Sequence, residues 1–385
     1  RFVSSHGSEQ DCIALQYCEN VRISRCEFEG IYSSSVKVRT SVNVSVSSCA
    51  FKGLGTITEA RGVEFLEGAR HCSVSDSQFN RLHEGVTTGG NTEAVSRDIA
   101  VTGCVMSGIE TTGVSIGPAS ESVTASGCTI AMSDGASSIC ASIFGSKSAV
   151  TGCRLSYGKL AGVWISPART LAYAAGTGGE PWNGSTALPT VAATGNVIDY
   201  CNQGVYVAGT NNAVGVDHVT VSGNTINGCN AAGVRAESTV STQTLKNLLI
   251  ANNTISSVET TSYGIEVHKA DGTVQDITVN GNMITGNGIS VTGVSGTLIS
   301  DVFLSGNSVN GAGTYGLYFQ FAEKCIARST SCRSCDTGIH VLNSNDLVIT
   351  DSIITASTTA GASVYADGGE TTTDVGFQGG MILEG

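Results

Sequence analysis

The chain has 385 residues, 49 of them Gly and only 4 Pro, with 14% charged and 6% aromatic side chains and a net charge of −12. Its 20 Lys and Arg give no concentrated basic surface for nucleic acid, and no apolar run approaches the roughly 18 residues of a membrane helix. Nucleic acid and membrane insertion are therefore not expected, and the length suits an elongated repeat better than one ordinary compact core.

In chain order, a landmark position recurs at Cys26, Cys49, Ser77, Cys104, Cys128 and Cys153, then Asn196, Asn224, Asn253, Asn282 and Asn307, then Cys332 and Ser352. An apolar residue usually follows two places later: Phe28, Phe51, Phe79, Met106, Ile130, Leu155, Ile198, Ile226, Ile255, Ile284, Val309 and Ile354. Self-similarity at such a period marks a solenoid. Short alternating strands without helical periodicity point to an all-β parallel β-helix of about 13 coils, each stacked on the last at about 4.8 Å. The landmark residue is expected at a turn, where Asn tolerates a left-handed backbone. Asn side chains on successive coils are expected to bond to one another. Where Cys replaces Asn the stack is expected to be small and apolar.

A second strand opens with Gly in coil after coil: Gly62, Gly85, Gly113, Gly162, Gly204, Gly233, Gly264, Gly288, Gly316 and Gly338. The first and third residues after Gly are mostly apolar and are placed inward. The second faces out, because side chains alternate along a strand. One outward column then reads Glu64, Thr87, Ser115, a coil near Ser142, Trp164, Tyr206, Arg235, Glu266, Ser290, Tyr318 and His340. Two residues on, another reads Glu237, His268, Thr292 and Gln320.

Between the landmarks Cys153 and Asn196 the step lengthens to 43 residues, so residues 167–190 are expected to form a long loop insertion beside this face. It carries Trp182. The repeat is clearest over 219–268, where Asn224 and Asn253 lie 29 residues apart and Gly233 and Gly264 lie 31 apart. Residues 373–385 begin a further coil and stop. Residues 1–385 read as one β-helix domain, and a first residue other than Met together with uncapped ends suggests a piece of a longer chain.

The 14 Cys have neither the spacing of a zinc ribbon nor that of a small disulfide scaffold, and buried, reduced thiols are expected. Cys332 and Cys335 form one isolated CxxC pair with no second ligand pair nearby. Cys201 and Cys229 fall on adjacent coils, where a disulfide is geometrically open. No cofactor or metal is expected, since no run of closely spaced Asp suggests a calcium site.

The outward columns supply the candidate site. Trp164, Tyr206 and Tyr318, with Trp182 nearby, offer flat apolar surfaces with polar edges, suited to sugar rings. Arg235, Gln320 and His340 add polar contacts for substrate. A subunit interface would select the same residue types. Glu237 and Glu266 form the candidate catalytic pair: adjacent coils and a two-residue offset put their Cα atoms about 8 Å apart, compatible with either geometry of glycoside hydrolysis. His268 is placed to tune or orient one of them. Arg235 is placed to bind an acidic sugar or hold a glutamate ionised, while plain surface ion pairs are the alternative. Glu64, Glu67, Glu84, Glu110, Asp199 and Asp271 are further acids in play.

The repeat resembles the right-handed parallel β-helix of the pectin lyase-like superfamily over about the whole chain. Gln10-Asp11-Cys12 followed by Cys26 is similar to the polygalacturonase segment with an acidic pair before Cys, but Gln10 replaces the first acid and Glu29-Gly30-Ile31 stands where a His-Gly element belongs. Asp11 is kept as a candidate on that basis. In style the chain looks like a bacteriophage tailspike. That resemblance implies a homotrimer on a virion tail, or an extracellular protein, that binds and hydrolyses bacterial surface polysaccharide. A non-catalytic adhesive fibre and a secreted polysaccharide lyase are the competing readings.

Overall fold

The computed structural model describes residues 2–3, 11–54, 59–89, 94–133, 137–166, 190–208, 216–241, 243–256, 262–355, 357–367, 371–379 and 382–384. Every regular element among them is a β-strand; they contain no helix. Each coil contributes one strand to each of three parallel sheets, forming a right-handed parallel β-solenoid of about 12 turns. The chain divides into two compact units, Arg1–Cys201 and Asn202–Gly385, both built on this plan.

Glu27–Ile31, Ser34–Arg39 and Ser45–Ser47 of the first unit show the order within a coil: landmark strand, Gly-led strand, third strand. The same order returns in the second unit as Thr225–Asn227, Ala232–Ser238 and Thr244–Ala251. The residue two past the landmark is the core of its sheet. Phe28, Phe51 and Phe79 stack there, with centroids 4.9 and 4.6 Å apart and planes within 6° and 13°. Each is at most 1% exposed, and burial of a ring of this size stabilises the fold by about 1.5–3 kcal/mol.

The leading Gly is required by close approach rather than by a left-handed backbone. A Cβ on Gly233 would lie 2.5 Å from Ile255 Cγ2 and 2.6 Å from the Gly264 carbonyl oxygen, and Gly204 and Gly338 are confined in the same way. In these coils only hydrogen fits at the corner between the landmark and Gly-led sheets, whereas Ser35 and Cys140 hold the same register position in two others.

The other corner corrects two sequence expectations. The left-handed residue is the one before the landmark: Gly152, Gly223, Asn252 and Gly281 have φ of 59°, 65°, 55° and 64°. That single turn swings the landmark side chain inward, and Asn224, Asn253, Asn282 and Asn307 are at most 1% exposed. They form the expected ladder. Asn253 Oδ1 accepts from the backbone N–H and side-chain amide of Asn224 at 3.0 and 2.9 Å. Its own amide donates to Val221 O at 3.0 Å and to Asn282 Oδ1 at 2.9 Å. In the first unit the Cys row is not merely apolar. Cys128 Sγ lies 3.5 Å from Ser126 O and 3.6 Å from Val101 O, two carbonyls that can accept its one S–H, and Cys104 and Cys153 each face an equivalent pair.

The second correction is one of register. Cys332 pairs with Val309, so it occupies the core position two past the landmark. Thr330 is the landmark of that coil: its N–H donates to Ser352 Oγ, and its hydroxyl to the carbonyl two residues back, as those of Ser77 and Ser352 do. No disulfide joins any of the 14 Cys, Cys201 and Cys229 included, and burial pushes the thiols of Cys72 and Cys325 up, the latter to about 12.

Candidate functional site

The Gly-led sheet of the second unit carries the candidate residues on Gln203–Ala208, Ala232–Ser238, Ile265–Lys269, Ile289–Thr292, Tyr315–Gln320, Thr337–Leu342 and Ala360–Tyr365. Apolar residues such as Val234, Ala236, Ile265 and Val267 are buried, which turns the residues between them outward. The first column runs in register as Tyr206, Arg235, Glu266, Ser290, Tyr318, His340 and Ser363. The second runs Ala208, Glu237, His268, Thr292, Gln320, Leu342 and Tyr365.

Arg235 is the centre of the polar part. Its Nε and Nη2 lie 2.8 and 2.6 Å from Glu237 Oε2, and its Nε lies 3.6 Å from Glu266 Oε2. Tyr206 donates its hydroxyl to the other oxygen, Glu237 Oε1. Both carboxylates therefore bear on one guanidinium, as the offset of two residues requires. They differ in access, since the Glu237 side chain is 7% exposed and that of Glu266 22%. Burial alone would lower the pKa of Arg235, but the charges of Glu266 and Glu237 outweigh it and hold the pKa above its ordinary value. Burial, then the hydrogen bond to Glu237, pushes the Tyr206 hydroxyl well up. His268 shares a 2.8 Å hydrogen bond between its Nδ1 and Thr292 Oγ1, along its own column.

Beyond this cluster lies an aromatic stack. Tyr315 and Tyr318 have centroids 5.0 Å apart and planes within 16°, and His340 lies 4.5 Å from Tyr315 and 5.5 Å from Tyr318. Tyr263 stacks on Tyr318 at 6.0 Å and 5°, and Tyr365 lies 5.6 Å from His340. Rings stacked in this way cover part of one another's faces. Burial, then Tyr315, pushes Tyr318 up to about 12, and burial lowers His340, whose Nδ1 shares a 2.6 Å hydrogen bond with Ser363 Oγ. Tyr263, Tyr315 and Tyr365 were not among the sequence candidates. Tyr263 and Tyr315 each immediately precede a leading Gly, and that shared position was the signal available.

Trp164 lies in the first unit, at the end of the register Glu64, Thr87, Ser115, Ser142, Trp164, edge-on to Phe144 at 5.4 Å and 83°. Trp182 and all but residue 190 of the 167–190 segment fall outside the described residues. Most of the other acids lie beside basic side chains. Lys37 Nζ is 3.4 Å from Asp11 and 3.6 Å from Glu64, beside a cavity of about 130 Å³ lined by Asp11, Ala14, Leu15, Gln16, Lys37 and Arg39. Arg61 contacts Glu64 at 3.4 Å and Glu84 at 2.6 Å. Glu67 lies 3.9 Å from Arg39, Glu110 3.6 Å from His83 and Asp199 3.2 Å from Arg154. Asp271 accepts from the N–H of Gly272. Among the described residues no group of three or more His, Cys, Asp or Glu is arranged to hold a metal ion, and no helix is long and apolar enough to cross a membrane.

The family model for the right-handed β-helix region matches residues 61–247 and 203–375. No curated protein matches the sequence. Among solved structures, the tailspike protein of E. coli bacteriophage HK620 in complex with pentasaccharide is similar, with a TM-score of 0.61 at 14% identity over 93% of this chain and 66% of that one. A double mutant of that tailspike gives 0.61 at 12% identity over 92% and 71%. A mutant lacking two residues gives 0.59 at 14% over 93% and 66%. At such identity the likeness is one of fold, and this chain spans 66% of the length of the first of these tailspikes.

Proposed function

The chain belongs to the family of the right-handed β-helix region, and from that premise we propose that it binds bacterial surface polysaccharide, an O-antigen or capsule, and hydrolyses it on the outer face of the Gly-led sheet. The observation that carries this reading is the pair of carboxylates held on Arg235, one buried and one more open, on the same sheet as a stack of tyrosine and histidine rings. Glu266 is the acid that protonates the leaving oxygen. Glu237, held by Arg235 and Tyr206, is the opposing carboxylate, as glycoside hydrolysis requires of its two acids. Tyr206, Arg235, Tyr318, Gln320 and His340 supply contacts to sugar hydroxyls, and His268 borders the pair. Trp164 and Trp182 are kept as substrate contacts. Assembly as a homotrimer, on a virion tail or outside the cell, and the extent of the domain over 1–385, belong to the same proposal, which draws on likeness of fold alone.

A second reading, binding without cleavage, is favoured by one observation. Glu237 is 6% exposed with a bond to each oxygen, which leaves little room to activate water.

Product analysis on a panel of O-antigens and capsules separates the readings, with wild type beside Glu237→Gln and Glu266→Gln. Discrete oligosaccharides lost in Glu266→Gln while binding survives support hydrolysis. Unsaturated products mean a lyase. Binding with no product from the wild type retires the catalytic roles.

A further inference from the structure

The corner just after the landmark strand repeats a left-handed residue, and in five of the described coils it is Gly: Gly30, Gly108, Gly228, Gly286 and Gly311 have φ of 67°, 63°, 66°, 108° and 75°. Arg81 and Ser334 take the position in two other coils, with φ of 53° and 51°, and two adjacent coils of the first unit fill it with tyrosine. Tyr157 and Tyr200 hold φ of 64° and 56°, a region that large side chains avoid. They are 53% and 63% exposed, and their rings stack at 5.8 Å with planes within 12°. Neither ring is needed to fill the core. Beside them Arg154 and Asp199 form an exposed-to-half-buried ion pair at 3.2 Å, and Val197 is 36% exposed.

We propose that Tyr157 and Tyr200 form a saccharide-binding platform on the landmark sheet, distinct from the Arg235 cluster on the Gly-led sheet of the other unit. Stiff aromatic rings with polar edges present contact area at little entropic cost and suit a sugar ring on the outer face of the pair. Arg154 and Asp199 supply a donor and an acceptor for its hydroxyls at the rim. The size of the patch argues for a sugar over a second copy of the chain. At these exposures the two rings offer roughly 200 Å², against about 800 Å² per partner in a stable protein interface.

The proposal shares a ligand class with the function above but not a site, so one experiment separates them. The full chain is run by affinity electrophoresis through gels containing O-antigen and capsular polysaccharides, as wild type, as the double variant Tyr157→Gly/Tyr200→Gly, and as Arg235→Ala. Glycine relieves the backbone at both positions, so the double variant should keep or raise the melting temperature while its retardation weakens roughly tenfold, a loss typical of removing aromatic anchors. Loss in the double variant alone supports the platform and overturns the Arg235 groove as a binding surface; loss in both supports both. Retardation of the double variant equal to wild type, a fall in its melting temperature, or a wild type retarded by no polysaccharide overturns the platform.

Discussion

Arg235 sets two of its nitrogens, Nε and Nη2, against the single oxygen Oε2 of Glu237, at 2.8 and 2.6 Å. The other oxygen accepts from Tyr206. Glu237 is thus a buried anchor, and the arginine it fixes also faces Glu266 at 3.6 Å. A guanidinium fixed by one carboxylate leaves the second free to meet a ligand, which gives the two glutamates different work although they share a face.

The two should separate in stability. Glu237→Gln strips a nearly buried partner from a half-buried cation and should cost about 2–3 kcal/mol, since breaking such a pair leaves a charge uncompensated. Glu266→Gln removes a longer, more exposed contact and should cost less than about 1 kcal/mol. Urea denaturation of both variants checks the order. Equal losses would mean that Glu237 is no anchor.

His340 gives a pH dependence. Burial in the stack with Tyr315, Tyr318 and Tyr365 lowers its pKa below the ordinary 6.5. As pH falls through about 6.5 the unfolded chain takes up the proton first, so this contribution to stability is present above that pH and is lost progressively below it, down to the folded pKa. His340→Phe keeps a ring in the stack and cannot titrate. Its urea midpoint should fall less than that of wild type between about pH 7 and about pH 5. Parallel curves would show that the stack does not hold the imidazole neutral.

The repeat and both outward columns were legible because their period is enforced by hard constraints: alternation along strands, Gly where a Cβ meets the next coil, and Asn where a ladder needs both donor and acceptor. The coil near Ser142, unassigned from sequence, takes Ser142 itself into the column. What did not show was set by contacts across coils. The left-handed position accepts Gly, Asn, Asp, Ser or Arg and so leaves no single letter to follow, and the eye falls on the residue after it. The burial of Glu237 depends on Tyr206, 31 residues earlier, and the stack of Tyr263 on Tyr318 spans 55 residues. Neither appears in any local pattern.

The ladder can be tested at Asn253. Asn253→Ala leaves the N–H and side-chain amide of Asn224 and the carbonyl of Val221 without their partner in a buried row, and should cost about 3 kcal/mol. Asn253→Cys should cost less, because thiols at Cys104 and Cys128 reach the two equivalent carbonyls. Thermal melts of both variants rank them. The opposite order would mean that amide shape, not the bond to carbonyl, holds the row.

The register at Cys332 has its own consequence. With Thr330 as the landmark, Thr330→Asn should add a rung, its Oδ1 placed to accept from Asn307 as Asn307 Oδ1 accepts from Asn282 at 3.1 Å, so the melting temperature should hold or rise. Cys332→Asn should do the reverse. It would put an amide into the core column between Val309 and Ile354, where desolvation without a partner costs about 2–3 kcal/mol. Had Cys332 been the landmark, as the spacing of cysteines suggests, the two effects would exchange. Melting both variants therefore tests the strand register directly, without reference to any ligand.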